Sequence, residues 1–417
     1  MIRHYGAVAG IVGGVTLLQL ANTFLAVVLP VSLAVNGYSG TTAGLVTTAY
    51  GLGFLAGCVA TLRLIRDVGH IRAFAVLAAF CSVTSMVFAA SQLVALWVAL
   101  RLVMGFCQAG LFTAVEGWLS AAAPAGARGG VLSFYLVATK VAIVGGQLVV
   151  GRAGATSLLW FDVASAVFTL SLIPVALTRT PQPPPPRLEL MGPRDLYRVA
   201  PAAIMGCLAS GLLNSAVLGL TPVYGTRLGL PVEFIVWLLT AIQLGSFVCQ
   251  WPLGRLSDRV DRRAIIAGCA AAVALLSPLI ALAGADRSWL LPLFFLYGGT
   301  TLSFYAVAVA HAGDFAEPDQ MVGVSSGSLL AWAAGAAVGP TVAAPFIDLL
   351  GPGGLFLYTF LTSAALAGFV AWRMTRRAPV PPDAREGFIN LPATTPRLAD
   401  IDPRVPERAA PQGSGSG

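Results

Sequence analysis

The chain has 417 residues, 57% of them hydrophobic and only 10% charged, with a mean hydropathy of +0.81. Soluble domains carry about a quarter charged residues, so this composition argues against a water-soluble core. The net charge of +7 does not imply nucleic acid, because the arginines stand at the ends of apolar stretches, where they set membrane topology.

A membrane span needs roughly 20 mainly apolar residues. Dividing the chain at its charged and Gly/Pro-rich turns predicts twelve such segments, at 7–33, 41–64, 71–91, 93–121, 130–151, 156–177, 199–222, 231–253, 263–284, 288–313, 321–348 and 352–374. The first is too long for a signal h-region, lacks a small-residue cleavage site and reads as a retained span. It carries Gln19 and Asn22 one turn apart, on one face. The fourth segment holds Arg101, with Gly105 and Ala109 below it as a small-residue stripe suited to close helix packing. Glu116 and Trp118 follow near its inner end.

The fifth segment contains Tyr135, Lys140 and Gln147, and Lys140 is the only lysine in the chain. A lysine near the middle of a span is costly unless solvated or paired, so the expectation is a cavity-facing role, with a structural pair to Glu116 as the competing reading. Arg179 to Arg198, with Pro183 to Pro186, cannot span and reads as a polar linker between two halves, residues 1–178 and 199–374. The seventh and eighth segments contribute Asn214, Tyr224, Gln243 and Gln250, each explicable as an interhelical hydrogen bonder or a cavity wall residue. In the tenth, Tyr305 precedes His311 and Asp314, which stand one turn apart and can meet. A helix-end cap and a proton-binding pair are both open for them. Residues 375–417 are rich in Pro, Arg and Asp and are expected to be a disordered tail, whose closing Gly-Ser-Gly-Ser-Gly looks like an engineered linker.

The six cysteines all lie in apolar runs with no CxxC and no Cys/His cluster. They read as small buried hydrophobes, and neither metal nor cofactor is expected. No P-loop is present, which argues against ATP-driven transport by this chain. A membrane enzyme would need a nucleophile with its base, or a metal set. His311 with Asp314 is the only His–carboxylate pair in the spans, and no H-E-x-x-H accompanies it.

Cytoplasmic loops retain Lys and Arg. With both termini inside, the inner segments hold Arg63, Arg66, Arg72, Arg128, Arg179, Arg187, Arg255, Arg259, Arg262, Arg263, Arg373, Arg376 and Arg377 among others, and the outer loops only Arg152, Arg227 and Arg287. Both termini are therefore expected in the cytoplasm. The basic turn Arg66 to Arg72 after the second segment has a counterpart in Arg259 to Arg263 after the eighth. Duplicated six-span units around a midplane site are what a rocking transporter requires.

The run Gly254-Arg255-Leu256-Ser257-Asp258-Arg259-Val260-Asp261-Arg262-Arg263 resembles the G-x-L-x-D-R-x-G-R-R loop of the major facilitator superfamily, with Asp261 where that family usually has glycine. The first-half copy lacks the matching aspartate. Arg101 to Ala109 is similar to the family's R-x-x-x-G-x-x-x-[GA] stretch, whereas Val144-Gly145-Gly146-Gln147 does not match its Gly-Pro antiporter signature. Together with Glu116-Gly117-Trp118-Leu119, Tyr305, His311, Asp314, Ser325-Ser326-Gly327 and Gly335 to Pro340, the pattern resembles the bacterial YcaD-type branch. The resemblance implies an all-α membrane fold of two six-helix bundles, with Gly254, Asp258, Arg259, Arg262 and Arg263 as a latch at the cytoplasmic face. The expected function is proton-coupled secondary transport of a small organic solute across the bacterial inner membrane by alternating access, without enzymatic chemistry and by a monomer. Uniport and a non-transporting sensor are the alternatives. The coupling candidates are Arg101, Glu116, Lys140, His311 and Asp314, and the cavity candidates Gln19, Asn22, Tyr135, Gln147, Asn214, Gln243 and Tyr305.

Overall fold

In the computed structural model the described residues are 2–123, 127–178, 192–316 and 320–381, with Arg385, Phe388 and Ala393. Among them are twelve helices long and apolar enough to cross a membrane: α1 (Val8–Val35), α2 (Gly40–Val68), α3 (His70–Ala90), α4 (Val94–Ala122), α5 (Arg128–Ala153), α6 (Leu159–Ala176), α7 (Pro201–Arg227), α8 (Val232–Arg259), α9 (Arg262–Ala283), α10 (Arg287–Gly313), α11 (Gly323–Leu350) and α12 (Gly354–Arg376). Each predicted segment has its helix, and the differences lie at the ends. Helices α2, α7 and α8 run several residues past the apolar window, to Val68, Arg227 and Arg259. The backbone ladder does not stop where hydropathy does, because terminal arginines can reach toward headgroup water along their own stems. Two spans are interrupted, α6 at Ser171, whose hydroxyl donates to the Phe168 carbonyl at 2.6 Å, and α10 between Thr301 and Phe304.

The packing repeats with a period of six helices. α1 packs on α5 and α6, α2 on α4, α3 on α4 and α6; correspondingly α7 packs on α11 and α12, α8 on α10, α9 on α10 and α12. The repeat extends to atomic contacts. A Cβ on Gly53 would stand 1.9 Å from the Leu102 carbonyl oxygen and one on Gly105 2.0 Å from that of Tyr50, while Gly245 meets Phe295 at 1.9 Å and Gly298 meets Ile242 at 2.1 Å in the same way. Only glycine lets these backbones touch, and in lipid such close packing replaces the hydrophobic drive that water supplies elsewhere. Between the halves the main seams are α2 with α11 and α5 with α8, themselves related by the six-helix shift. Large apolar side chains remain outside, as on α9, where Leu275, Leu279 and Leu282 are 69%, 50% and 83% exposed along one stripe that suits acyl chains.

With an even number of spans, the turns after α2, α4, α8 and α10 share one face with the chain ends, here called the terminal face. The turns after α1, α3, α5, α7, α9 and α11 form the opposite face. The predicted linker lies outside the described residues over 179–191, and its last part, Pro193–Val199, is a short helix that buries Leu196. The expectation of a disordered tail from residue 375 needs correction where the tail is described. Thr375 and Arg376 still belong to α12, Arg385 donates to the Val260 carbonyl at 2.9 Å, and the Phe388 amide donates to Asp258 at 2.8 Å.

Candidate functional site

A cavity of about 790 Å³ lies between the halves. Toward the opposite face it is closed by the α2–α11 seam, where Gly44 lies under Pro340 and Ala344, Gly51 under Ala337, and the Thr48 and Thr341 hydroxyls are 2.7 Å apart. Toward the terminal face the wall continues with Gly129, Ser133 and Leu136 of α5, Phe247, Gln250 and Trp251 of α8, and Phe388 and Ala393 of the tail.

Of the residues singled out in the sequence, Gln19, Asn22, Arg101, Tyr135, Lys140, Asn214, Gln243, Gln250 and Tyr305 line this cavity. Lys140 is half-buried, and its Nζ donates to Oε1 of Gln243 at 3.0 Å, from the middle of α5 to the middle of α8. The pairing with Glu116 considered from sequence is not made. The buried Glu116 instead accepts from the Tyr135 hydroxyl, one element away on α5. Arg101 is 6% exposed and does not snorkel; its guanidinium lies 4.4 Å from the centre of the Tyr50 ring. A cation over an aromatic face is stabilised by the ring quadrupole, more so when water is excluded. Rings continue along the wall, with Phe54 6.0 Å and Tyr305 6.3 Å from Trp332, both edge-on. Tyr50, Phe54 and Trp332 escaped the sequence reading, because aromatic residues in apolar spans give no signal that separates a cavity wall from lipid or core.

Five of the residues singled out for coupling or for the cavity wall lie off that wall, among them Tyr224, whose hydroxyl donates to the Ile280 carbonyl of α9 at 3.4 Å. Gln147 is 5% exposed and lies on α5 beside Gly146, which packs on Leu20 and Thr23 of α1. Glu116 stands behind Tyr135. His311 and Asp314 belong to a cluster at the terminal face: Arg262 donates to Asp314 at 2.7 Å and to the Ala310 carbonyl at 2.5 Å, its distance to Asp258 is 3.5 Å, and His311 stands 3.8 Å from Asp314. Helical spacing brought His311 and Asp314 together as expected, but an arginine 52 residues away in sequence holds the carboxylate.

The predicted latch residues are distributed around this cluster. Arg263 makes a two-pronged contact with Asp261 and donates to the Arg377 carbonyl. Burial is the largest single effect on the Asp261 carboxyl and opposes its ionisation, yet the Arg263 side-chain and backbone donors together outweigh it and hold the group below the ordinary carboxylate range. Gly254 does not seat another helix end; the Phe388 ring lies on it, 2.3 Å from where a Cβ would stand. Arg259 is exposed at the end of α8 and makes no bond among the described residues. The described bonds of this cluster tie α8, α9, α10 and the tail within the second half.

The clamp between the halves lies on the other side. Asp348 of α11 accepts from the Gly40 and Thr41 amides at 2.8 Å each and from the Thr41 hydroxyl at 2.6 Å, and it is paired with Arg227 of α7. One carboxylate thus caps the N-terminus of α2, where free N–H groups and the helix dipole favour negative charge. The sequence shows only an aspartate near the end of an apolar run.

The chain matches the family model of the Major Facilitator Superfamily over residues 11–236 and 227–401. The chain belongs to the Major Facilitator Superfamily. It is 26% identical over 356 residues to the MFS-type transporter YcaD of Escherichia fergusonii, covering 83% of this chain and 90% of that one. An MFS-type transporter of Enterobacter sp. (strain 638) is 26% identical over 353 residues, at 82% and 90% coverage. Among solved structures, the nucleoside transporter NupG superposes with a TM-score of 0.73 at 12% identity, over 90% of this chain and 100% of that one. A bacterial homologue of the lysosomal transporter Spinster, in an inward-facing and occupied conformation, gives 0.69 at 15% identity, over 91% and 97%. At such identities the likeness is one of fold.

This major facilitator chain is thus a multi-pass membrane protein with a largely apolar, ring-lined cavity between two repeated halves, into which a few polar groups project. The stretch Gly323 to Gly327 has the G-x-S-x-G spacing of a hydrolase nucleophile elbow, but it lies inside a continuous helix and not on a strand-to-helix turn.

Proposed function

We propose that the chain is a proton-coupled secondary transporter that moves a small organic solute across the bacterial inner membrane by alternating access, as a monomer with its terminal face in the cytoplasm. The orientation rests on the arginine bias of the terminal-face turns. The observation that carries the reading is the Lys140 to Gln243 hydrogen bond at 3.0 Å, a titratable group at mid-span joining α5 of one half to α8 of the other within the cavity wall. Rocking of one half against the other changes the surroundings of this ammonium, and an ammonium whose solvation alternates can take up a proton on one side and release it on the other. The charged and titratable groups around it are Arg101 with Tyr50, Tyr135 backed by Glu116, and Tyr305.

The test is proton movement in proteoliposomes containing an internal pH dye, on addition of organic acids, amino acids, sugars or cationic drugs. Wild-type protein should acidify the lumen with one solute class, and Lys140→Arg, which folds with its charge fixed, should lose that coupling while Lys140→Ala loses it too. Coupled flux through both variants would sink the role of Lys140. Since no carboxylate lines the cavity among the described residues, facilitative uniport is the second reading, and it would appear as solute entry without proton movement.

A further inference from the structure

We infer that the cavity takes an organic anion with a flat aromatic or conjugated body, its anionic group bound by the Lys140 ammonium and its body seated among Tyr50, Phe54, Tyr305 and Trp332. The inference rests on the transporter reading and names the substrate class of the same cavity.

Charge on the wall is the first argument. Two cations, Lys140 and Arg101, line the cavity, and among the described lining residues there is no aspartate or glutamate. Lys140 is bonded to a neutral amide oxygen and has no carboxylate within ion-pair distance among the described residues. Arg101 rests on a ring, and its Nε has no hydrogen-bond partner. The carboxylate that could have neutralised Lys140, Glu116, is fully buried behind Tyr135 and accepts its hydroxyl instead. Two cations in a low-dielectric wall set up a positive potential that is focused into the cavity, and a charge out of water is costly until a counter-charge arrives. An anion supplies one. A cationic solute would add like charge, and an uncharged solute would leave the cost unrelieved.

Shape is the second argument. The rings of Tyr50, Phe54, Trp332 and Tyr305 form a chain with centroids 6.5, 6.0 and 6.3 Å apart, drawn from α2, α10 and α11 and therefore from both halves. Trp332 and Tyr50 are only partly buried, so ring surface is open to the cavity. Aromatic faces and edges pair with flat ligands in offset or edge-on geometry. A volume of about 790 Å³ accommodates such a molecule.

The experiment is thermal unfolding of the full chain in detergent with 2-naphthoate, its uncharged amide, 2-naphthylmethylamine, acetate and oleate as probes. Naphthoate should raise the unfolding temperature saturably, acetate much less, and the amide and amine not at all. Lys140→Arg should keep the response, and Lys140→Gln should weaken apparent binding roughly 30-fold or more, as truncation of one member of a desolvated charge pair does. Intrinsic tryptophan fluorescence, to which the cavity residues Trp332 and Trp251 contribute among the chain's eight tryptophans, gives an independent reading should Lys140→Gln prove unstable, provided the change is lost in Trp332→Phe. Equal stabilisation by amide or amine, an unchanged response in Lys140→Gln, a response confined to oleate, or no response of folded wild-type protein to naphthoate would each overturn the inference. Because binding is read without flux, naphthoate binding through Lys140 in a protein with no coupled transport would leave this inference standing and remove the coupling. Coupled transport with binding indifferent to Lys140→Gln would do the reverse.

Discussion

Asp314 and Arg262 are each 1% exposed in their side chains, and a guanidinium so enclosed depends on its carboxylate. Removing one member of a buried pair leaves an uncompensated charge and typically costs about 3–5 kcal/mol. Asp314→Ala should therefore lower the unfolding temperature in detergent clearly. Asp314→Asn, which keeps an oxygen to accept from the Arg262 Nη1, should lower it less. Equal and negligible shifts for both would show that Asp258 and the Ala310 carbonyl suffice to hold Arg262. The His311 and Asp314 spacing was readable from one helix, since residues three apart share a face. Arg262, which decides what Asp314 does, was read as part of another motif, and nothing in a linear sequence joins the two.

At the scale of helices, the glycine contacts separate positions that look alike in sequence. Gly105 and Gly298 touch backbone on a neighbouring helix, whereas Gly145 and Gly268, also mid-helix, would meet nothing within 4 Å. Gly105→Ala and Gly298→Ala should each destabilise by about 1–3 kcal/mol through overpacking. Gly145→Ala and Gly268→Ala should be neutral or gain up to about 1 kcal/mol from helix propensity. Thermal unfolding of the four variants checks this, and a uniform response would discount the close contacts. The Asp348 clamp is also an element-scale device, since it holds the first turn of α2 to the last turns of α11 and α7. Asp348→Asn keeps one acceptor but loses the charge facing Arg227 and the helix N-terminus, so the opposite face should open more often. A cysteine replacing Thr48, which is 9% exposed beneath that clamp, should then react faster with an impermeant thiol reagent from the opposite face in Asp348→Asn than in the parent. Unchanged labelling would mean that the seam of small residues alone keeps the face shut.

For the whole molecule, an even number of spans puts both ends on one face, and the arginine bias is the ground for proposing that face as the cytoplasmic one. Reporters fused after Arg187 and after Arg377 should both signal cytoplasm, and an external signal from either would break the twelve-span topology. Span number could be read from the sequence because a bilayer forces each crossing segment to satisfy its backbone hydrogen bonds internally, the basic turns because positive charge is retained at span ends, and the family from the contiguous run Gly254 to Arg263. Apolar length and terminal arginines are local consequences of the first two constraints. The tertiary structure alone decided which polar side chains meet. Lys140 finds Gln243 across 103 residues, and Asp348 finds Gly40 across 308. Gln147 and Gln243 are alike in sequence, yet only Gln243 reaches the cavity. An amide within a span can be satisfied against any neighbouring helix, so its orientation is fixed by the packing of the two halves and not by the residues beside it in the chain.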